Sequence, residues 1–160
     1  MNFDELLTFS SNWAPPKIDF RKAEILDSYG DDEFAKLIVN HKVPNDVTLP
    51  DFQYYSPSIY SFMNTEDVLF YTYAVFKNYF VNVEFKHIDS FLYTLDRRIN
   101  EICKITTNDQ KLILVKYCNI IFEKHQFNAD WFQSQALCAF ANIKATEIDE
   151  QNWYDKLYHP

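Results

Sequence analysis

One glycine in 160 residues is the tightest constraint this chain places on its own fold. Average usage of about 7% would give roughly eleven. Glycine serves where backbone turns left-handed or comes close to a ligand. With Gly30 alone, a Walker loop, a dinucleotide fingerprint and a Gly-x-Ser-x-Gly nucleophile elbow are all excluded. Tight hairpins on Asn-Gly or Asp-Gly turns are disfavoured as well. Helices are left as the natural architecture.

Aromatic rings supply the burial. There are 15 Phe, 11 Tyr and 3 Trp, and the hydrophobic fraction is 48%. That composition is globular, not disordered, and the length suffices for a sizeable core. The densest run is "TEDVLFYTYAVFKNYF", residues 65–80, with six rings in sixteen residues. Leu69, Tyr73, Phe76 and Phe80 recur at helical spacing, and Val68, Tyr71, Val75 and Tyr79 form a second stripe beside them. Thr65 reads as the cap, with Glu66 and Asp67 in the first turn. Such a helix belongs in the middle of a domain. The rings therefore mainly build an interior.

Other segments read alike. "DELLTFSSNW" is a short amphipathic helix stopped by Pro15 and Pro16. A helix from about Asp19 to Tyr29 ends on Gly30 as its left-handed cap, and "DDEFAKLIVNH" begins another. Pro44, Pro50 and Pro57 exclude a continuous helix over the ordered connection that follows, and a short helix begins at Pro57 with Ser56 as its cap. Ile88 to Cys103 hold helical spacing throughout. Thr107 and Gln110 form a capping box, and Asn128 caps a helix over about 129–144. The tail around Trp153 and Leu157 reads as helical. The expectation is one all-α domain over residues 1–160 with about seven helices. A short strand at 78–85 is the alternative reading of that stretch.

The formal charge is −8. Residues 1–70 carry twelve acids against five bases, a net −7, and residues 71–160 carry eleven against ten, a net −1. Such a chain repels phosphates, which argues against nucleic acid as a partner. It attracts a basic partner toward its N-terminal half. The three cysteines, Cys103, Cys118 and Cys138, are odd in number and lie in apolar helical patterns. They read as buried, reduced thiols of a cytoplasmic protein. The acidic start has no secretory-leader pattern, and no apolar run is long enough for a membrane span.

Chemistry-bearing residues are sparse. His41, His87, His125 and His159 fall near element ends without partners at ligand spacing, so no metal or catalytic role is assigned. The acids Asp31, Asp32, Glu33, Glu66 and Asp67 suit helix starts. Asp96, Arg97 and Arg98 read as a solvated helix face. No cofactor is expected. Tyr54, Tyr55 and Tyr60 differ from the other rings, because they sit by a proline-bounded loop among acids. That combination of residue types occurs in protein interfaces.

The junction "LPDFQYYSPSIYSFM", the helix "VLFYTYAVFKNYF" and "ITTNDQKLILVKYCNIIFEK" together resemble small helical immunity proteins of bacterial polymorphic-toxin and contact-dependent growth inhibition systems. Ser56-Pro57, Tyr71 and Thr107 to Gln110 carry the resemblance, which spans about residues 45–143. The chain departs from it at Thr72-Tyr73, where that group often has Leu-Pro. The resemblance implies a non-catalytic inhibitor, a monomer or weak homodimer, that binds a cognate toxin, often a nuclease, and occludes it. The candidate contacts are Asp27, Asp31, Asp32, Glu33, Asp46, Asp51, Tyr54, Tyr55, Glu66 and Asp67. The alternatives are a DNA mimic and a small helical regulatory or accessory subunit.

Overall fold

The computed structural model describes residues 3–30, 39–82 and 85–125. Among them every regular element is helical and no strand is present. The chain divides into two compact units, Met1–Arg98 and Ile99–Pro160.

The first unit holds α1 (Asp4–Ser11), α2 (Phe20–Asp27), α3 (Leu49–Tyr54), α4 (Thr65–Val81) and α5 (His87–Arg97). Two 3-10 turns, Pro44–Asp46 and Pro57–Phe62, join them. Helix α4 is the axis of this unit, and α1, α5 and the Pro44–Asp46 turn pack on it. The expected Thr65 cap lies one residue early: Asn64 is the cap, its side-chain oxygen accepting the Asp67 amide at 2.8 Å. Every residue from Asp67 to Phe76 is buried, so the helix has no solvated face along that stretch. α4 continues to Val81 and ends at Asn82. A strand therefore does not begin at 78, and residues 83 and 84 lie outside the described residues.

The remaining elements close around the rings of α4. Phe20, the first residue of α2, is the hub. Its ring lies 4.4 Å from that of Tyr71 and meets Phe52, Tyr55 and Tyr60 edge-on at 5.3, 5.7 and 6.1 Å. The three edge-on separations fall in the favourable range for ring pairs. Asp19 caps α2 by accepting the Lys22 amide at 2.9 Å. α2 ends earlier than its pattern implies. Tyr29 takes the left-handed position at φ 57°, followed by Gly30 at φ 89°. The Gly30 amide then reaches back to the Ile25 carbonyl at 2.8 Å, the six-to-one bond of a Schellman ending.

Helical spacing from Ile88 to Cys103 reads as one helix, but the chain breaks at Arg98, between α5 and α6 (Ile99–Ile105). The Arg98 guanidinium donates to the Met63 carbonyl. That long-range anchor is invisible to periodicity. In the second unit α7 (Asn108–His125) starts as the sequence implies. Thr107 N donates to Gln110 Oε1 at 2.8 Å and Gln110 N to Thr107 Oγ1 at 3.3 Å, the reciprocal capping box. Leu114, Val115, Tyr117, Cys118 and Ile121 are buried along it. Of the helix expected over 31–41, residues 31–38 lie outside the described residues and 39–41 are not helical; the helix expected over 129–144 and the tail lie outside them too.

Candidate functional site

The proline-punctuated connection is an ordered arm. At its start Asp46 accepts the amides of Lys42 and Val43 at 2.8 and 3.0 Å. Those bonds hold its carboxyl below the usual range. Five residues on, Asp51 accepts the Thr48 amide at 2.7 Å and the Thr48 hydroxyl at 2.8 Å, which starts α3 with Pro50 in its first turn. Pro44, Val47, Phe52 and Tyr55 turn inward, and Val43, Leu49 and Tyr54 turn outward. Proline spacing excludes a long helix here but does not exclude these short turns.

Beneath the arm lies a chain of polar groups. Asp51 Oδ2 stands 3.5 Å from His41 Nε2, and His41 Nδ1 stands 3.0 Å from the Tyr71 hydroxyl. Nε2 faces the carboxylate, which can only accept, and Nδ1 shares a hydrogen bond with the Tyr71 hydroxyl. Burial pushes Asp51 up, but the hydrogen bonds from His41 and Thr48 outweigh it, and its carboxyl ends below the usual range. Burial also drives the Tyr71 phenol well above its ordinary value. The order carboxylate, imidazole, hydroxyl is that of a proton relay. Yet Tyr71 is 0% exposed, so its oxygen offers no face to a substrate. The chain of groups braces the arm against α4.

A second imidazole does the same on the other flank. His87 Nε2 lies 2.7 Å from the Phe52 carbonyl, and Nδ1 lies 3.0 Å from the Tyr60 hydroxyl. A carbonyl can only accept, so Nε2 carries the proton and Nδ1 receives that of Tyr60. Burial pulls His87 below its ordinary value, opposed by carbonyls of Phe52 and Tyr55. His41 and His87 are both buried and hydrogen-bonded, a pairing that sequence spacing does not show. Their partners lie 30 and 27 residues away along the chain, beyond the reach of spacing rules.

The candidate contacts scatter. Asp46 and Glu66 are exposed, Asp51 is half-buried, and Tyr54 is 54% exposed. Tyr55 is buried; desolvation, then Asp19 and Asp51, push its phenol up to about 12. Tyr60 is fully buried against His87. Asp27 accepts the Ser58 hydroxyl, and its neighbour Glu24 accepts the Ser56 amide at 2.9 Å, so α2 holds the Ser-Pro-Ser turn. Asp67 is 2% exposed and accepts the Lys17 and Ile18 amides at 2.9 and 3.0 Å. It is an internal tie between the Pro15-Pro16 loop and α4. Asp31, Asp32 and Glu33 lie outside the described residues. Asp96, read as solvated, is buried instead.

What gathers at the surface is therefore Asp46, Asp51 and Tyr54 on one arm, joined by the exposed apolar side chains of Val43 and Leu49. Among the described residues no group of His, Cys, Asp or Glu is placed to hold a metal ion, and no helix is long and apolar enough to cross a membrane. No protein-family model, curated protein or solved structure matches this chain.

Proposed function

We propose that this chain is a non-catalytic immunity-type protein that acts in the cytoplasm, binding a basic bacterial toxin domain, of the nuclease kind, and occluding it. One observation carries the reading: no Lys or Arg occurs from Val43 to Phe76, while Asp46 and Glu66 of that stretch reach solvent. A long acidic stretch with no basic residue of its own disfavours nucleic acid and draws in a protein built to bind phosphates. The engagement of both buried imidazoles in packed polar chains supports an inhibitor over an enzyme, because the nitrogens of both rings face partners within the chain. The test is co-expression with the product of the gene immediately upstream. Rescue of growth, together with a complex whose association slows as salt rises, is the expected result. A neighbouring product that is harmless, or equally toxic with and without this chain, would sink the reading.

A further inference from the structure

We propose that the outer edge of the 43–54 arm is a docking surface for a basic protein surface, one presenting Arg or Lys beside an apolar spot; this rests on the inhibitor reading above. Three apolar or aromatic side chains stand out from it: Val43 at 52% exposure, Leu49 at 39% and Tyr54 at 54%. Asp46 and Asp51 alternate with them along the chain, and the nearest cations in sequence are Lys42 and Lys77. Tyr54, exposed and three residues after Asp51 on α3, forms an i, i+3 pair with a carboxylate that suits an arginine or lysine. The ring face takes the cation and the acids take its N–H groups.

The arm is also built to be rigid. Both carboxylates are already fixed by local amides, at Lys42 and Val43 for Asp46 and at Thr48 for Asp51. His41 braces α3 to Tyr71 from below. Phe52 and Tyr55 root the helix in the rings around Phe20. Binding would thus order little that is not ordered beforehand, which is how a small surface gains affinity. A second copy of the chain is a poor occupant. In a two-fold contact the same patch meets itself, and Asp46 and Asp51 would face their own duplicates.

The experiment is an amide chemical-shift titration of the full chain with a Leu/Arg amphipathic peptide, against a control peptide with every Arg replaced by Gln. Leu49→Ser and Tyr54→Ser alter outward side chains; their melting curves confirm the fold. Shifts confined to residues 43–54, absent with the Gln peptide and weakened about tenfold by Tyr54→Ser, support the surface. Shifts centred elsewhere, or equal affinity in Tyr54→Ser, overturn it. Arm shifts that follow protein concentration without peptide assign the edge to self-association and overturn it too. The two readings fail separately. Growth protection that survives both substitutions unchanged removes the surface and leaves the inhibitor. Peptide contact at the arm, in a chain that protects against no neighbouring product, removes the inhibitor and leaves the surface.

Discussion

The Ser10 hydroxyl accepts the backbone amide of Tyr73 at 2.9 Å and lies 3.2 Å from the Leu69 carbonyl. Leu69 and Tyr73 are one i to i+4 step of α4, so a side chain from α1 bridges both ends of a rung in the central helix. Ser10 is fully buried. Ser10→Ala removes this bridge while leaving α4 free to close its own rung. The expected cost is about 1–2 kcal/mol, at the lower end for a buried polar contact. Urea unfolding should show a lower midpoint with an unchanged slope. A midpoint equal to that of the parent chain contradicts this role.

Asp96 sits in the last turn of α5, buried, and desolvation pushes its carboxyl up. Asp67 is raised as well: burial outweighs the amides of Lys17 and Ile18 that oppose it. A carboxyl whose folded pKa exceeds its unfolded one contributes stability below the unfolded value and loses it as pH rises through the folded one. At neutral pH both therefore oppose folding. Asp96→Asn should raise stability at pH 7 by about 1 kcal/mol, the usual scale of a single change. The gain should vanish in acid, where the parent carboxyl is protonated. Urea midpoints from pH 3 to 8 check both halves. A gain that persists unchanged in acid would point to packing instead of charge.

The extent to which sequence anticipates structure here follows the range of each interaction. Ring spacing on residues 65–80 implies a central helix, because periodicity is a local signal and α4 is buried all round. The Thr107–Gln110 box is legible for the same reason. The break at Arg98 is not, since its anchor, Met63, lies 35 residues back. The candidate interface is half legible. Acids and tyrosines near Pro50 mark the arm, but composition cannot separate exposed Tyr54 from buried Tyr55 or Tyr60. Nor can it show that Asp67 is consumed by two backbone amides from a loop about 50 residues earlier.

His87 gives a pH dependence of opposite sign to Asp96. Its folded pKa is depressed by burial. Between the folded value and the unfolded value near 6.5, the unfolded chain holds a proton that the folded chain lacks. Its contribution is thus complete above about pH 6.5 and is lost as the solution is acidified below that. His87→Gln cannot titrate. It should lose stability at pH 7, by about 1–3 kcal/mol for the two disrupted buried hydrogen bonds, and then fall less steeply below pH 6. Nitrogen-15 spectra of the parent chain should show the Nε2–H tautomer at neutral pH. Finding the proton on Nδ1 would refute the assignment to the Phe52 carbonyl.

Tyr29 occupies a left-handed conformation at φ 57° with its ring in full solvent. An L-residue with a bulky side chain is strained there by roughly 1–2 kcal/mol. Among the described residues nothing packs against the ring to offset that cost. Tyr29→Gly relieves the strain but adds freedom to the unfolded chain, which takes back part of the gain. The net expectation is a stabilisation of about 0.5–1 kcal/mol. Gly30→Ala should do the reverse. Its φ is 89°, and although no atom lies within 4 Å of an added Cβ, the backbone itself is disfavoured. The pair of variants separates backbone strain from lost contacts, because neither position packs against any of the described residues. Opposite shifts in the thermal midpoint are the expected result, and a loss of stability in Tyr29→Gly would mean that the exposed ring contributes to the folded state.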